Sequence, residues 1–325
     1  MRAVVVGAGA IGQWTAYEAA ASGHEVVLAS RSGRPLSVAG ASRRAISAAS
    51  SSVTAATVDA GDAGALAGLA AGADVLVNAV NPPYTDWDAK WPPMASAFLA
   101  AAERSGAALV TIGNLYPYGH PTSPITEATP ETPNGHKGRV RQAMWRDAQA
   151  RHQAGRIRAA ELRAADYFGP GVTKGMSYLN QYAILPAMRG RTARHIMGVV
   201  DAPHAWTYVR DIGRLAAAVV ASVADDDVWG RVWHVPTEAP RSLEDVARDV
   251  AALVGQPPRT PRPYPRLVKA ALHVVPLIRE LDEMAPAFEA PYTLDGSAAE
   301  RRFGVAATPW HEALEETVAW LRSHD

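Results

Sequence analysis

The feature that most constrains this chain is Gly7-Ala8-Gly9-Ala10-Ile11-Gly12, a G-x-G-x-x-G turn close to the N-terminus. The apolar run Ala3 to Val6 before it predicts a strand. Ile11 to Ser22 after it predicts a helix, and Glu25 to Ser30 predicts a second strand. A strand that turns into a helix and returns beside itself forms a right-handed βαβ unit. In such a unit the first glycine permits the tight turn, the second lets backbone approach a diphosphate, and the third lets helix and strand pack closely. The helix start offers unpaired N–H groups and a partial positive charge, which suit phosphate.

The same rhythm continues along the chain. Val53 to Thr57, Asp74 to Val80, Ala107 to Ile112 and Ile157 to Leu162 read as strands, largely apolar on both faces as buried parallel strands are. Asp62 to Ala70, Pro93 to Ser105 and His136 to Ala154 read as helices between them, and Ser47 to Ser52 as a short loop of small residues. The expected fold is α/β: a doubly wound parallel Rossmann sheet with a smaller, mostly helical C-terminal substrate domain. Residues 1–166, with about 200–236, are expected to bind a dinucleotide, and 167–199 with 237–325 to form the substrate-binding portion. Strands near Trp206 to Val209 and Arg231 to Val235 flank a predicted helix from Asp211 to Ala224. Ser242 and Asp245 predict a boxed helix start, Gly255 its end, and Pro309 to Leu321 a closing amphipathic helix.

Composition narrows the function. Lys and Arg together number 32, as do Asp and Glu, so no bulk attraction to nucleic acid or to an anionic membrane is expected. The absence of cysteine removes disulfides, thiolate metal sites and cysteine nucleophiles, and no spaced His/Asp/Glu set predicts a metal. The apolar runs are too short to span a membrane and the N-terminus does not read as a signal peptide, so a cytoplasmic location is expected.

Strand ends place the cofactor. The second strand ends Ser30-Arg31-Ser32, with no acid to hold a ribose 2′-hydroxyl. Arg31 can pair a 2′-phosphate, and Ser30 and Ser32 can hydrogen-bond it, which makes NADP the expected cofactor and NAD the second choice. Ala10 and Ile11 lie at the phosphate-facing helix start. Asp59 stands where a carboxylate can accept from the adenine amino group or simply charge a helix start. Ala79 and Asn81, where the fourth strand runs out, leave room for ribose.

In order stand the glycine turn, Asp59 with Gly61-Asp62, Asn114 to Gly119, Leu162 to Gly171, Trp206 to Asp211 and the closing Phe303-Gly304 to Trp320. Over nearly the whole chain this series resembles the extended short-chain dehydrogenase/reductases, the NAD-dependent epimerase/dehydratase group. The resemblance implies a Ser or Thr with a Tyr-x-x-x-Lys pair. The Tyr acts as acid and base at the reacting oxygen, and the Lys lowers the Tyr pKa and holds the nicotinamide ribose. No such pair begins the helix after Gly119. By register Lys137 takes the Tyr position, Arg141 the Lys position and Asn114 the Ser/Thr position. Lys137 can move a proton if burial and Arg141 lower its pKa, and can otherwise clamp the cofactor. Arg141 can hold ribose or phosphate, and Asn114 can donate to an oxyanion.

Tyr116, Tyr118 and Tyr84 offer phenols instead, the last two also as substrate contacts, joined by Met176 and Asn180 where the substrate side begins. Glu127 and Glu131, in a Pro-rich loop, are expected to be solvated. The implied function is an NAD(P)-dependent oxidoreductase or epimerase acting on a small carbonyl or hydroxyl metabolite, with a homodimer through two of its helices. The replaced pair keeps two alternatives open: a dinucleotide-binding sensor or regulatory protein with little turnover, and a non-redox lyase or isomerase on the same scaffold.

Overall fold

A computed structural model describes residues 1–120 and 124–324. The expected strands form as β1 Arg2–Val6, β2 Glu25–Ser30, β3 Val53–Thr57, β4 Val75–Asn78, β5 Ala108–Asn114 and β6 Ala159–Ala164. β7 Asp166–Phe168, β8 Arg194–His195, β9 Trp206–Tyr208, β10 Val232–His234 and β11 Arg262–Pro263 follow. Seven of them make one parallel sheet in the order β10-β6-β5-β4-β1-β2-β3. β7 pairs with β9, and β8 with β11, in two small parallel ribbons.

The helices are α1 Ala10–Ala21, α2 Arg43–Ser50, α3 Ala63–Ala70, α4 Trp87–Ser105, α5 His136–Gln153, α6 Leu185–Met188, α7 Val209–Ala221 and α8 Leu243–Val254. The C-terminal ones are α9 Arg266–Leu272, α10 Pro276–Leu281, α11 Ser297–Phe303 and α12 Trp310–His324. Among the described residues no helix is long and apolar enough to cross a membrane.

Successive residues of a strand face opposite sides, so one sheet buries two cores. Val5, Val77, Val110 and Leu162 pack on the side of α1 and α7. Val4, Leu76, Leu109 and Ala159 pack with α3 and α4 residues on the other. A third core, with Phe168, Trp206, Val246, Phe288 and Leu314, lies under the C-terminal helices.

Two expectations of secondary structure fail. The stretch from Ser47 is not a loop, because α2 runs through it from an N-cap at Ser42, whose hydroxyl accepts from Ala45 N–H. α4 begins at Trp87 and runs through Pro92 and Pro93. Burial of Trp87 and Trp91 outweighs the hydrogen bonds that the prolines cannot make. Ser242 and Asp245 do form a capping box, and Gly255 ends α8 at φ 69°.

Glu127 and Glu131 are not solvated. Glu131 accepts from the Arg163 guanidinium, which also bonds Glu161 on its own strand, and Glu127 accepts from the His234 N–H at 3.1 Å. Buried donors on β6 and β10 draw these loop carboxylates inward, since an unpaired buried polar group is costly.

His234 is fully buried. Its Nδ1 lies 3.1 Å from Asp295 O and its Nε2 2.8 Å from the Tyr118 hydroxyl. With Nδ1 donating and Nε2 accepting, the neutral ring is satisfied. Burial, with the Arg163 charge adding, pushes its pKa down to about 4 from 6.5. The unfolded chain therefore takes up this proton first as pH falls. We expect the contribution of His234 to be complete above about pH 6.5 and to fade toward pH 4, by roughly 3 kcal/mol in all. Urea unfolding of the His234→Phe chain should lose this pH dependence, and an unchanged slope would refute it.

Candidate functional site

The glycine turn is a seat with one open face. Gly7 holds φ +114°, and a Cβ on it would lie 2.5 Å from Ala79 O; on Gly12 a Cβ would lie 1.7 Å from Gly7 O. Both glycines are required by packing. A Cβ on Gly9 would meet nothing within 4 Å. Gly9 is the N-cap of α1, and no side chain caps the helix there. Ala10 and Ile11 follow at the half-exposed helix start. Unpaired first-turn amides beside an open backbone are what a diphosphate needs, so the residues present fit a dinucleotide.

At the end of β2, Ser30 Oγ accepts from Arg34 N–H at 3.2 Å, within its own turn. Arg31 and Ser32 are exposed. Asp59 is exposed and accepts from Gly61 N–H at 2.9 Å, closing the turn before α3. Ala79 backs onto Gly7, and Asn81 is exposed beyond β4.

The ends of β5 and β6 meet the C-terminal helices around a pocket. Tyr116, His120, Asn134, Asp166, Met284, Phe288 and Tyr292 line it. The Tyr116 hydroxyl lies 3.4 Å from that of Tyr84. Burial pushes both phenols well above their ordinary range, and the Asp166 charge pushes each further. Asn114 spends its Oδ1 on Tyr116 N–H at 3.2 Å.

Lys137 is 0 % exposed and is not among the residues that line this pocket. It bonds Glu280, lies 3.4 Å from Glu283 and 3.1 Å from His136 Nε2, and sits over the Tyr84 ring at 4.4 Å. His136 in turn lies 2.7 Å from Asp88. The ammonium is thus spent on carboxylates of α10 and the turn after it. Arg141 also turns inward. Its guanidinium stacks on Trp87 at 4.9 Å and Trp91 at 4.2 Å, donates to Ile112 O at 3.4 Å, and burial brings its pKa down to about 10.

The decisive comparison concerns residues 3–234, which match the NAD dependent epimerase/dehydratase family. The chain belongs to that family. It is accordingly an enzyme by descent, and the resemblance drawn from its motifs holds.

Its fold is shared with a dTDP-glucose 4,6-dehydratase from Streptomyces venezuelae with NAD bound: 20 % identity, 99 % of this chain and 97 % of that one covered, TM-score 0.74. A nucleoside-diphosphate-sugar epimerase from Pseudomonas aeruginosa gives 19 %, 100 %, 98 % and 0.72. A UDP-glucose-4-epimerase from Stenotrophomonas maltophila with NAD gives 17 %, 100 %, 98 % and 0.75. No curated protein sequence matches the chain.

Within this epimerase/dehydratase frame, the structure gathers only part of the expected site. Tyr116 lines the pocket, and Tyr84 reaches it through the hydroxyl pair. Tyr118 is committed to His234, Met176 is exposed, and Asn180 is buried, donating to Val172 O at 2.9 Å. None of these three lines the pocket. Asn134, three residues before Lys137, does. Sequence reasoning also passed over Asp166, Tyr292 and the Glu280–Glu283 pair. Asp166 carried a signal, since it sits inside the Leu162 to Gly171 segment that marks the family. The others reach the site from distant sequence.

Proposed function

We propose that this epimerase/dehydratase family member is an NADP-dependent oxidoreductase or epimerase for a small carbonyl or hydroxyl compound without phosphate, with 167–199 and 237–325 forming its substrate side. The observation that carries the substrate class is charge. Among the described residues the pocket lining contains no Lys or Arg, while Asp166 adds a carboxylate, and the nearby Lys137 is matched by two glutamates. A nucleoside diphosphate brings two negative charges and calls for charge-assisted donors. An uncharged or cationic compound does not.

The nicotinamide, when bound, supplies the hydride acceptor or donor. The chain's own residues bind and orient. The start of α1 and Gly9 seat the diphosphate, Ala79 and Asn81 flank the ribose, and Arg31 takes the 2′-phosphate. Asn114 keeps its amide nitrogen to donate to a developing oxyanion. Tyr84 and Tyr116 keep their protons and act as hydrogen-bond donors.

For the cofactor, Arg31→Ala should weaken NADPH binding about tenfold, the worth of one charge-assisted contact, and leave NADH binding unchanged. Fluorescence titration with both nucleotides checks it, and tighter NADH binding by the unaltered chain overturns the NADP assignment. For the substrate, turnover of NADP with simple polyols and of NADPH with ketoses, but not with nucleotide sugars, is expected. The reverse pattern overturns the substrate class.

A further inference from the structure

Among the described residues that line the pocket Asp166 is the one carboxylate, and the His204 imidazole bonds it from behind. Its Oδ2 accepts from His204 Nε2 at 2.8 Å, and its side chain stays 29 % exposed toward the pocket. His204 is 3 % exposed. Its backbone is fixed from two sides: Arg241 N–H donates to its carbonyl at 3.0 Å, and Ala205 N–H donates to Tyr292 O at 2.9 Å. Its ring stacks on Phe288 at 4.3 Å and lies against Trp206 at 4.4 Å. The imidazole therefore has one orientation, and that orientation serves Asp166.

The opposite ring nitrogen, Nδ1, is buried without a partner among the described residues. Burying half of an imidazole's hydrogen-bonding capacity costs stability, so packing alone does not explain the pair. The phenols around the same space stay protonated, because burial raises the pKa of Tyr116, Tyr84 and Tyr292, so none of them stands ready as a base. A carboxylate oriented by an imidazole is a group type that exchanges protons with a bound hydroxyl.

We propose that Asp166, positioned by His204, accepts the proton of the substrate hydroxyl in this pocket and returns it in the reverse reaction. The inference rests on the oxidoreductase reading above. The substrate O–H bond breaks with its proton passing to the Asp166 carboxylate, and the C–H bond on the same carbon breaks with a hydride passing to NADP. A C=O bond is left. Reduction runs the same transfers backward. His204 does not touch the substrate; it is a positioning residue.

The test uses the full chain and a small panel, with NADP for glycerol, xylitol and ribitol and NADPH for dihydroxyacetone. Asp166→Asn preserves shape and removes proton acceptance. We expect its NADPH dissociation constant to stay within about twofold, while kcat on whichever panel member the unaltered chain converts falls about a hundredfold or more with little change in KM. Formate should restore part of the turnover to Asp166→Gly and none to Asp166→Asn. His204→Phe should lower kcat about tenfold, and His204→Gln, whose amide can still donate to Asp166, should recover most of it.

A readout independent of turnover is the ring nitrogen signal of His204 in protein labelled with 15N-histidine. It should move when a panel compound binds the unaltered chain and stay still in Asp166→Asn. Unaltered kcat in Asp166→Asn, or a His204 signal indifferent to every panel member, overturns the role of Asp166 and leaves the cofactor reading standing. An unaltered chain that fails to bind NADPH overturns that reading instead, and this inference with it.

Discussion

Gly9→Ala is expected to leave the protein as stable as before and to lower its affinity for NADPH about tenfold or more. The backbone of Gly9 lies at φ −79°, ψ −174°, which alanine adopts freely, and the added methyl would meet nothing within 4 Å. Folding free energy should therefore change by no more than about 0.5 kcal/mol. The methyl would, however, stand where backbone must approach a diphosphate, and each tenfold loss of binding corresponds to about 1.4 kcal/mol. Gly12→Ala supplies the contrast. There the methyl would lie 1.7 Å from Gly7 O, so helix and strand must part. Its expected cost is about 3 kcal/mol of stability, the upper range for overpacking. Urea unfolding and NADPH fluorescence separate the two effects. If Gly9→Ala binds NADPH like the unaltered chain, the turn is not the cofactor seat.

Arg163→Met is expected to destabilise the fold by about 3–5 kcal/mol, since removing one member of a buried ion pair strands the other. Arg163 Nε lies 2.8 Å from Glu161 Oε2, the same guanidinium holds Glu131 from the loop after Tyr118, and its face covers the Tyr118 ring at 4.8 Å. Burial already raises the pKa of Glu161 against the pull of Arg163. Without the guanidinium that buried carboxyl loses its ion-pair partner and keeps only the Arg141 charge nearby. The double change Arg163→Met with Glu161→Gln should recover part of the loss, because the stranded charge is then gone. Equilibrium unfolding of the three chains measures this, and a loss below about 1 kcal/mol for Arg163→Met would place the pair among weak surface contacts.

Much of the Rossmann part was legible because its signals are local. β2 and β3 run over the residues that the apolar periodicity marks, and α1, α3 and α5 begin within a residue of prediction. Gly7 and Gly12 could be assigned from spacing alone, since a turn and a close helix approach are properties of a few consecutive residues. Where the reading failed, distant residues intervened. Buried Trp87 and Trp91 carry α4 through two prolines, and Arg163 draws Glu131 in from a loop that looks solvated.

The site divides in the same way. The sequence by itself determined the glycine turn, the absence of an acid after β2 and the absence of a Tyr-x-x-x-Lys pair on α5. Only the tertiary structure decided that Lys137 and Arg141 turn inward, because what holds them is Glu280, Glu283 and two tryptophans of another helix. It also decided that Asp166 faces a pocket with His204 behind it, a pairing made by β7 lying beside β9 across 38 residues of chain. A helical or strand period records which way a residue points, but the charge that awaits it there is supplied by other parts of the chain.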